Sequence, residues 1–274
     1  MSKTVTCIFS PGMGLGNSLF VIASGIYYCE NHHYKLQIVK ENPALFGTSC
    51  KFDKHVCYTI NGKDIPYTDT IFSKLKVIDS IDDSTEKIYN NYTNNININP
   101  SDHIIISGLN QNLELFNSVT DAIPKYLNFD DMHIKNYILE KYGNIENSTC
   151  IGVRRGSDFS HMTKLTKTSY QKAIDYLNNK QQSNTFYVIS DTPTSNFFNG
   201  ITESLIEVNE PDIIQIYFGL MCRNYVLSES TFHLWIAYLG TAFGKNLDKT
   251  VVCYNDTDIT SRNLNLNNWI KIDY

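Results

Sequence analysis

Two adjacent arginines, Arg154 and Arg155, are the residues of this chain best suited to binding a charged ligand. They directly follow an apolar run at residues 150–153, which is typical of a buried strand, and the chain holds only four arginines. A guanidinium group presents a planar, permanently charged fork that binds phosphate oxygens in two places. In open α/β sheets, ligands bind at the carboxyl ends of the strands. The pair therefore predicts an anion site for a diphosphate, and structural ion pairs are the equally open alternative.

Polar side chains also follow two other predicted strands, at residues 185–189 and 225–227. They are Asp191 after the first strand, and Glu229, Ser230 and Thr231 after the second. Because the carboxyl ends of parallel strands meet at one edge, we expect these loops to converge with the arginines. Ser230 and Thr231 would also begin a helix and offer hydroxyls and N–H groups to a phosphate. The alternative for Ser230 is a plain N-cap role. Asp191 would hold a base or ribose, or only close a turn.

A glycine loop near the start of the chain is a weaker candidate. Gly14, Gly16 and Asn17 lie between a predicted strand at residues 4–9 and an apolar-faced helix. Glycines there allow the backbone to approach a ligand, and the helix start offers N–H groups to an anion. A merely tight turn explains the same pattern equally well.

Several residues near the arginines could take a proton from a substrate. They are Asp158, His161 and Glu229, and the sequence does not choose among them. No metal site is expected, since the histidines and cysteines lack zinc spacing. The spacing Asp256-Thr257-Asp258 is that of a metal-binding pair, but its place after the predicted last strand, residues 251–254, favours a turn.

The elements that must position these residues alternate between strand and helix in both halves of the chain. In the second half, apolar residues at i, i+3, i+4 and i+7 predict helices at 169–178, with Thr168 as its cap, and after residue 231. This alternation predicts an α/β protein with parallel, doubly wound sheets. A polar stretch at residues 143–149 predicts the boundary between two domains, 1–145 and 146–274.

Composition excludes several classes of protein. The net charge of −5 provides no basic field, so nucleic acid is not an expected partner. Seven cysteines without a C-x-x-C pair suit a reducing compartment. No apolar window reaches the roughly 18 residues of a membrane helix, and the N-terminal apolar run is short for a signal peptide. We therefore expect a soluble, cytoplasmic protein, and its oligomeric state is not indicated.

The chain resembles the α-1,2-fucosyltransferases, glycosyltransferase family 11, which share motifs with the α-1,6 and protein O-fucosyltransferases. Seven stretches are similar to family motifs in the same order: residues 14–20, 108–116, 153–159, 169–177, 188–191, 217–239 and 268–272. The stretch from Val153 to Phe159 resembles the family core H-V-R-R-G-D-Y. The stretch from Tyr217 to Leu239 resembles the segment that contains S-S-F-S-W-W-G.

The resemblance implies a GT-B-like fold of two Rossmann-type domains facing a cleft, with the first on the acceptor side. It also implies inverting, metal-independent transfer from a nucleotide sugar, expected to be GDP-fucose, to a hydroxyl of an acceptor glycan. Position by position, Arg154 matches the arginine on the donor phosphate, and Asp191 matches the nucleoside-side aspartate. The hydroxyls near the diphosphate match Ser230 and Thr231, and the N-terminal loop matches Gly14, Gly16 and Asn17. No cofactor beyond the nucleotide sugar is implied.

Three departures from the family pattern bear on this prediction. The family histidine two positions before the first arginine is Gly152 here, and Ser157 is an extra residue before Asp158. In the third change, the family core S-S-F-S-W-W-G has become Ser230-Thr231-Phe232-His233-Leu234-Trp235-Ile236. Three alternatives therefore stay open: a transferase for a UDP- or dTDP-sugar, a catalytically inactive nucleotide-sugar-binding protein, and a nicotinamide-dependent oxidoreductase built on the glycine loop.

Overall fold

The structure is a computed structural model that divides by its contacts into two compact units, Met1–Asp131 and Met132–Tyr274. It describes residues 3–9, 13–39, 57–60, 63–79, 81, 87–89, 102–108, 111–156, 165–180, 185–201, 205–243, 248–257, 260, 264, 266 and 268–274. None of the helices in these ranges is both long and apolar enough to cross a membrane.

The first unit contains a parallel sheet and a separate hairpin. Its strands are β1 (Thr4–Cys7), β2 (Lys35–Val39), β3 (Cys57–Ile60), β4 (Lys63–Pro66), β5 (Lys76–Ile78), β6 (Lys87–Tyr89) and β7 (His103–Ser107). Five of them form an all-parallel sheet in the order β5-β2-β1-β7-β6. The other two, β3 and β4, pair with each other in antiparallel fashion. Parallel pairing requires crossover connections, and this matches the alternation seen in the sequence.

A long helix covers the centre of the first sheet. The helices of this unit are α1 (Leu15–His32), α2 (Leu113–Val119) and α3 (Ile123–Tyr126). The helix α1 packs on β1, β2 and β7, and buries Leu19 and Phe20 almost completely. A Cβ added at Gly25 would lie 2.6 Å from Leu36 Cδ1 and 2.7 Å from Cys7 Sγ, so the glycine allows α1 to approach the sheet closely.

The second unit is a larger parallel sheet with helices on its faces. Its strands are β8 (Thr149–Val153), β9 (Phe186–Ser190), β10 (Leu205–Glu207), β11 (Asn224–Val226), β12 (Thr250–Tyr254) and β13 (Ile270–Ile272). They form the order β10-β9-β8-β11-β12-β13, and every pair is parallel. The helices are α4 (Met132–Tyr142), α5 (Lys167–Asn179), α6 (Asp212–Met221) and α7 (Thr231–Phe243).

The two faces of β8 are packed by different elements. Ile151 and Val153 belong to a core cluster that includes Ala173, Ile174 and Leu177 of α5. Successive side chains of a strand point to opposite faces, so the intervening Gly152 faces away from α5. It lies against His233 of α7, since a Cβ added at residue 152 would be 2.4 Å from Cγ of that histidine. The central strand is thus buried on both faces, as its apolar sequence predicted.

The α/β class with parallel sheets is confirmed, and three details differ from the sequence analysis. The helix α5 begins at Lys167, and its cap is Thr166, not Thr168, because Thr166 and Ser169 form a reciprocal capping box. The strand after residue 250 is not the last, since β13 pairs with β12. By its contacts α4 packs on α6 and lies with the second unit, whereas the predicted boundary at residues 145 and 146 falls after it.

Candidate functional site

The carboxyl ends of β8 and β9 bring an arginine and an aspartate together. The register of this parallel pair ends with Val153 opposite Ser190, so the next residue of each strand is a neighbour of the other. These residues are Arg154 and Asp191, and Nη1 of the arginine lies 2.7 Å from Oδ2 of the aspartate. The side chains are 30% and 21% exposed, so the ion pair lies at a surface that a ligand can reach.

The carboxylate of Asp191 also organises the loop that follows β8. Its Oδ1 accepts a hydrogen bond from the backbone N–H of Arg155 at 2.9 Å, and its Oδ2 accepts one from the N–H of Gly156 at 2.8 Å. Hydrogen bonds to an ionised acceptor are stronger than neutral ones. One carboxylate therefore holds both the side chain of Arg154 and the backbone that follows it. Two alternatives from the sequence analysis, an ion pair of the arginine and a turn closed by Asp191, are both present.

The side chain of Arg155 contacts an aromatic ring, whereas that of Arg154 contacts a carboxylate. The guanidinium carbon of Arg155 lies 4.3 Å from the ring centroid of Phe197, which is a cation–π stacking distance. Phe197 in turn makes edge-to-face contacts with Tyr170 and Phe198, with centroids 5.8 and 4.8 Å away. The two cations are therefore held by separate partners: Arg154 pairs with a carboxylate, and Arg155 stacks on an aromatic ring.

The loop between β11 and α7 reaches the same edge of the sheet, because β11 pairs with β8. Ser230 Oγ accepts a hydrogen bond from the backbone N–H of Phe232 at 3.3 Å, so this serine is the N-cap of α7. Thr231 begins the helix. Glu229 is only 6% exposed. Burial, and to a smaller extent the charge of Glu229, raises the pKa of the phenol of Tyr170. The three predicted loops thus meet at one edge, and Ser230 has the plain capping role that the sequence left open.

A histidine that the sequence analysis did not select lies beneath this edge. His233 is 5% exposed, and its Nδ1 forms a hydrogen bond of 2.6 Å with Ser228 Oγ. Burial lowers the pKa of His233 to about 4; the charge of Asp191 raises this pKa by a smaller amount, and the charge of Arg154 lowers it further. The imidazole is therefore neutral at neutral pH. The departures at residues 152 and 233 from the family motifs were the sequence signal that could have identified it.

A small cavity opens beside Asp191, where β9 and β10 end. Its volume is about 130 Å³, and its polar lining comes from Ser190, Asp191, Thr192, Glu207 and Asn209. The carboxylate of Glu207 accepts hydrogen bonds from the N–H and the hydroxyl of Thr194, which fixes one wall. The cavity therefore places further hydrogen-bonding groups next to the Arg154–Asp191 ion pair.

The predicted glycine loop belongs to the first unit and is described separately. Gly14 precedes α1 with φ −70° and ψ 164°, which any residue adopts, and a Cβ added there would meet nothing within 4 Å. A tight turn therefore does not explain this glycine. Gly16 is buried in the first turn of α1, and Asn17 Oδ1 accepts a hydrogen bond from Gln111 Nε2 at 3.0 Å. Gly16 and Asn17 are therefore part of the helix and not of a loop before it, and the contact joins the first turn of α1 to the segment that follows β7.

Two predicted site residues, Asp158 and His161, lie outside the described residues, as do Ser157 and Asp258. Asp256, the other aspartate of that spacing, lies in a turn with φ +54°. Within the described part of the chain, no three histidine, cysteine, aspartate or glutamate side chains are grouped as metal ligands.

Comparison with known proteins gave similarity in structure and none in sequence. No family model matches the chain, and no curated protein matches it. The fold is similar to the NodZ α-1,6-fucosyltransferase soaked with GDP-fucose, with a TM-score of 0.52, 10% identity and coverage of 87% of this chain and 93% of that one. The fucosyltransferase NodZ from Bradyrhizobium gives a TM-score of 0.52, 11% identity and coverage of 87% and 93%.

A second group of solved structures has the same similarity. POFUT1 in complex with GDP gives a TM-score of 0.52 at 8% identity, with 87% of this chain and 95% of that chain covered. At such low identity the likeness establishes the fold alone. The chain therefore has the α/β, GT-B-type fold of these fucosyltransferase structures.

Proposed function

We propose that this protein is a glycosyltransferase that transfers fucose from GDP-fucose to a hydroxyl of an acceptor glycan. The observation that carries the proposal is the partly exposed Arg154–Asp191 ion pair at the carboxyl ends of β8 and β9, beside the start of α7. The proposal is supported by the similar solved structures, which are a fucosyltransferase soaked with GDP-fucose and POFUT1 in complex with GDP. Transfer of the α-1,2 type, inverting and independent of metal, is the finer proposal and rests on the motif resemblance.

The chemistry needs a group that stabilises the leaving diphosphate. In the proposed reaction the bond between fucose C1 and the β-phosphate oxygen breaks, and the acceptor oxygen forms a new bond to C1 from the opposite face. The electron pair of the broken bond stays on the phosphate, where Arg154 and the N-terminus of α7 stabilise the developing negative charge. Asp191 holds the guanidinium before the donor arrives, so little rotamer freedom is lost on binding.

The remaining predicted residues have proposed roles around this centre. Arg155 and the hydroxyls of Ser230 and Thr231 contact the diphosphate, and Asp191 lies on the nucleoside side. The glycine loop with Gly14, Gly16 and Asn17 contributes from the first unit, which we propose as the acceptor side. The acceptor proton goes to Asp158, His161 or Glu229, and the cytoplasmic location stays a prediction.

A thermal-shift panel of GDP, UDP, dTDP and NAD tests this proposal. A nucleotide present at 100 times its dissociation constant stabilises the native state by about 2.7 kcal/mol, which moves the melting temperature by a few degrees. We expect a shift with GDP and a smaller one or none with the other ligands. A shift with UDP or dTDP alone would replace the donor, and no shift with any nucleotide would contradict the proposal.

Release of free fucose from GDP-fucose separates an enzyme from a catalytically inactive binder. Many transferases slowly transfer the sugar to water, so we expect the wild-type protein to release GDP and fucose in the absence of acceptor. Binding of GDP without any release, even with a mixture of glycan acceptors, would favour the inactive alternative.

A further inference from the structure

His233 and Gly152 occupy one space at the predicted donor site. A Cβ added at Gly152 would lie 2.4 Å from Cγ, 2.6 Å from Nδ1 and 2.9 Å from Cβ of His233. Separations below 3 Å between such atoms do not occur in well-packed proteins, so any side chain at residue 152 requires the histidine to move. The missing side chain on β8 is therefore what allows the imidazole of α7 to lie there.

The motif comparison gives these two positions a second meaning. In the family pattern a histidine stands where this chain has Gly152, and a serine stands where this chain has His233. The chain thus carries the small and the large residue in exchanged positions. Because the two positions are in contact in space, the exchange keeps one imidazole between β8 and α7 while changing the element that supplies it.

We propose that His233 is a positioning residue of the donor site, which supplies from α7 the imidazole that the family pattern places on β8. Through its hydrogen bond to Ser228, it holds the loop before α7 against the Arg154–Asp191 pair. This inference rests on the proposed function, because the site it organises is the one proposed to bind GDP-fucose.

The contacts of His233 indicate that it orients the loop before α7 and does not only fill space in the core. Its Nδ1 bonds to Ser228 Oγ at 2.6 Å, and Ser228 is itself 3% exposed and precedes Glu229 and Ser230 in the loop. A buried hydroxyl whose partner is removed is left without compensation for its lost water. The neutral imidazole, which burial maintains by lowering its pKa, also does not compete with Arg154 for the carboxylate of Asp191.

Two substitutions of His233 separate orientation from packing. His233→Phe keeps the ring volume and removes the hydrogen bond, whereas His233→Asn loses volume and places an amide where Nδ1 was. The affinity for GDP, measured by calorimetry, should fall about tenfold in His233→Phe and stay within about threefold of wild type in His233→Asn. The melting temperature should follow the opposite order. Both tryptophans, Trp235 and Trp269, lie in the second unit, so tryptophan fluorescence reports the unfolding of this unit.

Ser228→Ala removes the same hydrogen bond without altering the packed ring, and it serves if His233→Phe does not fold. It should weaken GDP binding as His233→Phe does, and it should lower the melting temperature by a few degrees, because the buried Nδ1 of His233 loses its partner. Wild-type GDP affinity in both His233→Phe and Ser228→Ala would overturn the inference and leave the proposed function standing. Absence of GDP binding by the wild-type protein would instead overturn the proposed function itself.

The exchange of positions has its own test. Gly152→His alone should lower the melting temperature by several degrees, because two imidazoles would claim one space. Gly152→His combined with His233→Ser, which restores the family arrangement, should recover most of the stability and GDP affinity lost in Gly152→His. A double variant no better than Gly152→His would contradict the exchange.

Discussion

The two parallel sheets of this chain have different chemistry at the ends of their strands. In the second unit, an ion pair, two backbone N–H bonds to one carboxylate and a buried imidazole meet where β8 and β9 end. In the first unit, the hydrogen bond described between the first turn of α1 and the segment after β7 joins two neutral amides, those of Asn17 and Gln111. Similar sheets therefore provide the place for a site, and the loops decide which ligand it takes.

The largest effect should come from removing the charge at the second edge. We expect Arg154→Ala to lower the rate of fucose transfer by roughly 100- to 1000-fold, as when one preorganised donor to a developing anion is lost. The measurement is release of GDP from GDP-fucose under saturating donor. Arg154→Lys, which keeps the charge but not the fork, should recover only part of the rate, and wild-type turnover in Arg154→Ala would sink the proposed role.

The buried imidazole should make the second unit sensitive to acid. The pKa of His233 is lowered from 6.5 to about 4 in the folded protein, so between these values the unfolded chain binds a proton that the native state does not. The free energy of unfolding should therefore fall as the pH drops from 6.5 to 4, by up to about 3 kcal/mol, with no further loss from this group below pH 4.

Urea unfolding followed by tryptophan fluorescence at several pH values measures this loss in the second unit. His233→Phe has no imidazole at this position and is the matched control. Its stability should depend less on pH across that window than that of the wild type. Equal pH dependence in the two proteins would show that the acid sensitivity has another source.

A smaller effect is expected from Asp191→Asn. This change retains the size of the side chain but removes the charge that pairs with Arg154 and strengthens two backbone hydrogen bonds. Because the arginine is no longer held, GDP affinity should fall about tenfold, while the partly exposed pair should contribute only about 1 kcal/mol to stability. Calorimetry and urea unfolding measure the two quantities, and a large stability loss with unchanged affinity would assign Asp191 a purely structural role.

The smallest effect should come from the first unit. Asn17→Ala removes one neutral hydrogen bond, to Gln111, and should weaken binding of GDP-fucose by only about two- to tenfold. Gln111→Ala removes the same bond from its other end and should give a similar result. A loss as large as that of Arg154→Ala would mean that the two edges contribute equally, contrary to the difference described above.

Much of the fold followed from local patterns in the sequence. The strands β8, β9 and β11 coincide with the apolar runs at residues 150–153, 185–189 and 225–227, and the paired arginines do end a buried strand. The strands β6 and β13 were missed, because three residues of mixed polarity are too short to show alternation. The cap of α5 was misplaced by two residues, since it is the structure that shows Thr166, and not Thr168, in a reciprocal capping box with Ser169.

The site was less predictable because its partners are distant in the chain. The sequence identified Arg154 and Asp191 as candidates because each follows a predicted strand. The hydrogen bonds that Asp191 accepts from the backbone after β8 depend on the register of β8 and β9, which the sequence does not show. The role of His233 depends on the absence of a side chain at Gly152, which only the packing of α7 on β8 makes visible. Composition and periodicity do not encode such a contact.

Calorimetric titration of GDP and UDP into wild-type protein and Arg154→Ala tests the central claim most directly. The account predicts that one GDP binds per chain, more tightly than UDP, and that Arg154→Ala weakens GDP binding by roughly 10- to 100-fold, as expected for a lost charge-assisted hydrogen bond. GDP binding of equal strength in both proteins, or its absence from the wild type, would contradict a diphosphate site at the ends of β8 and β9.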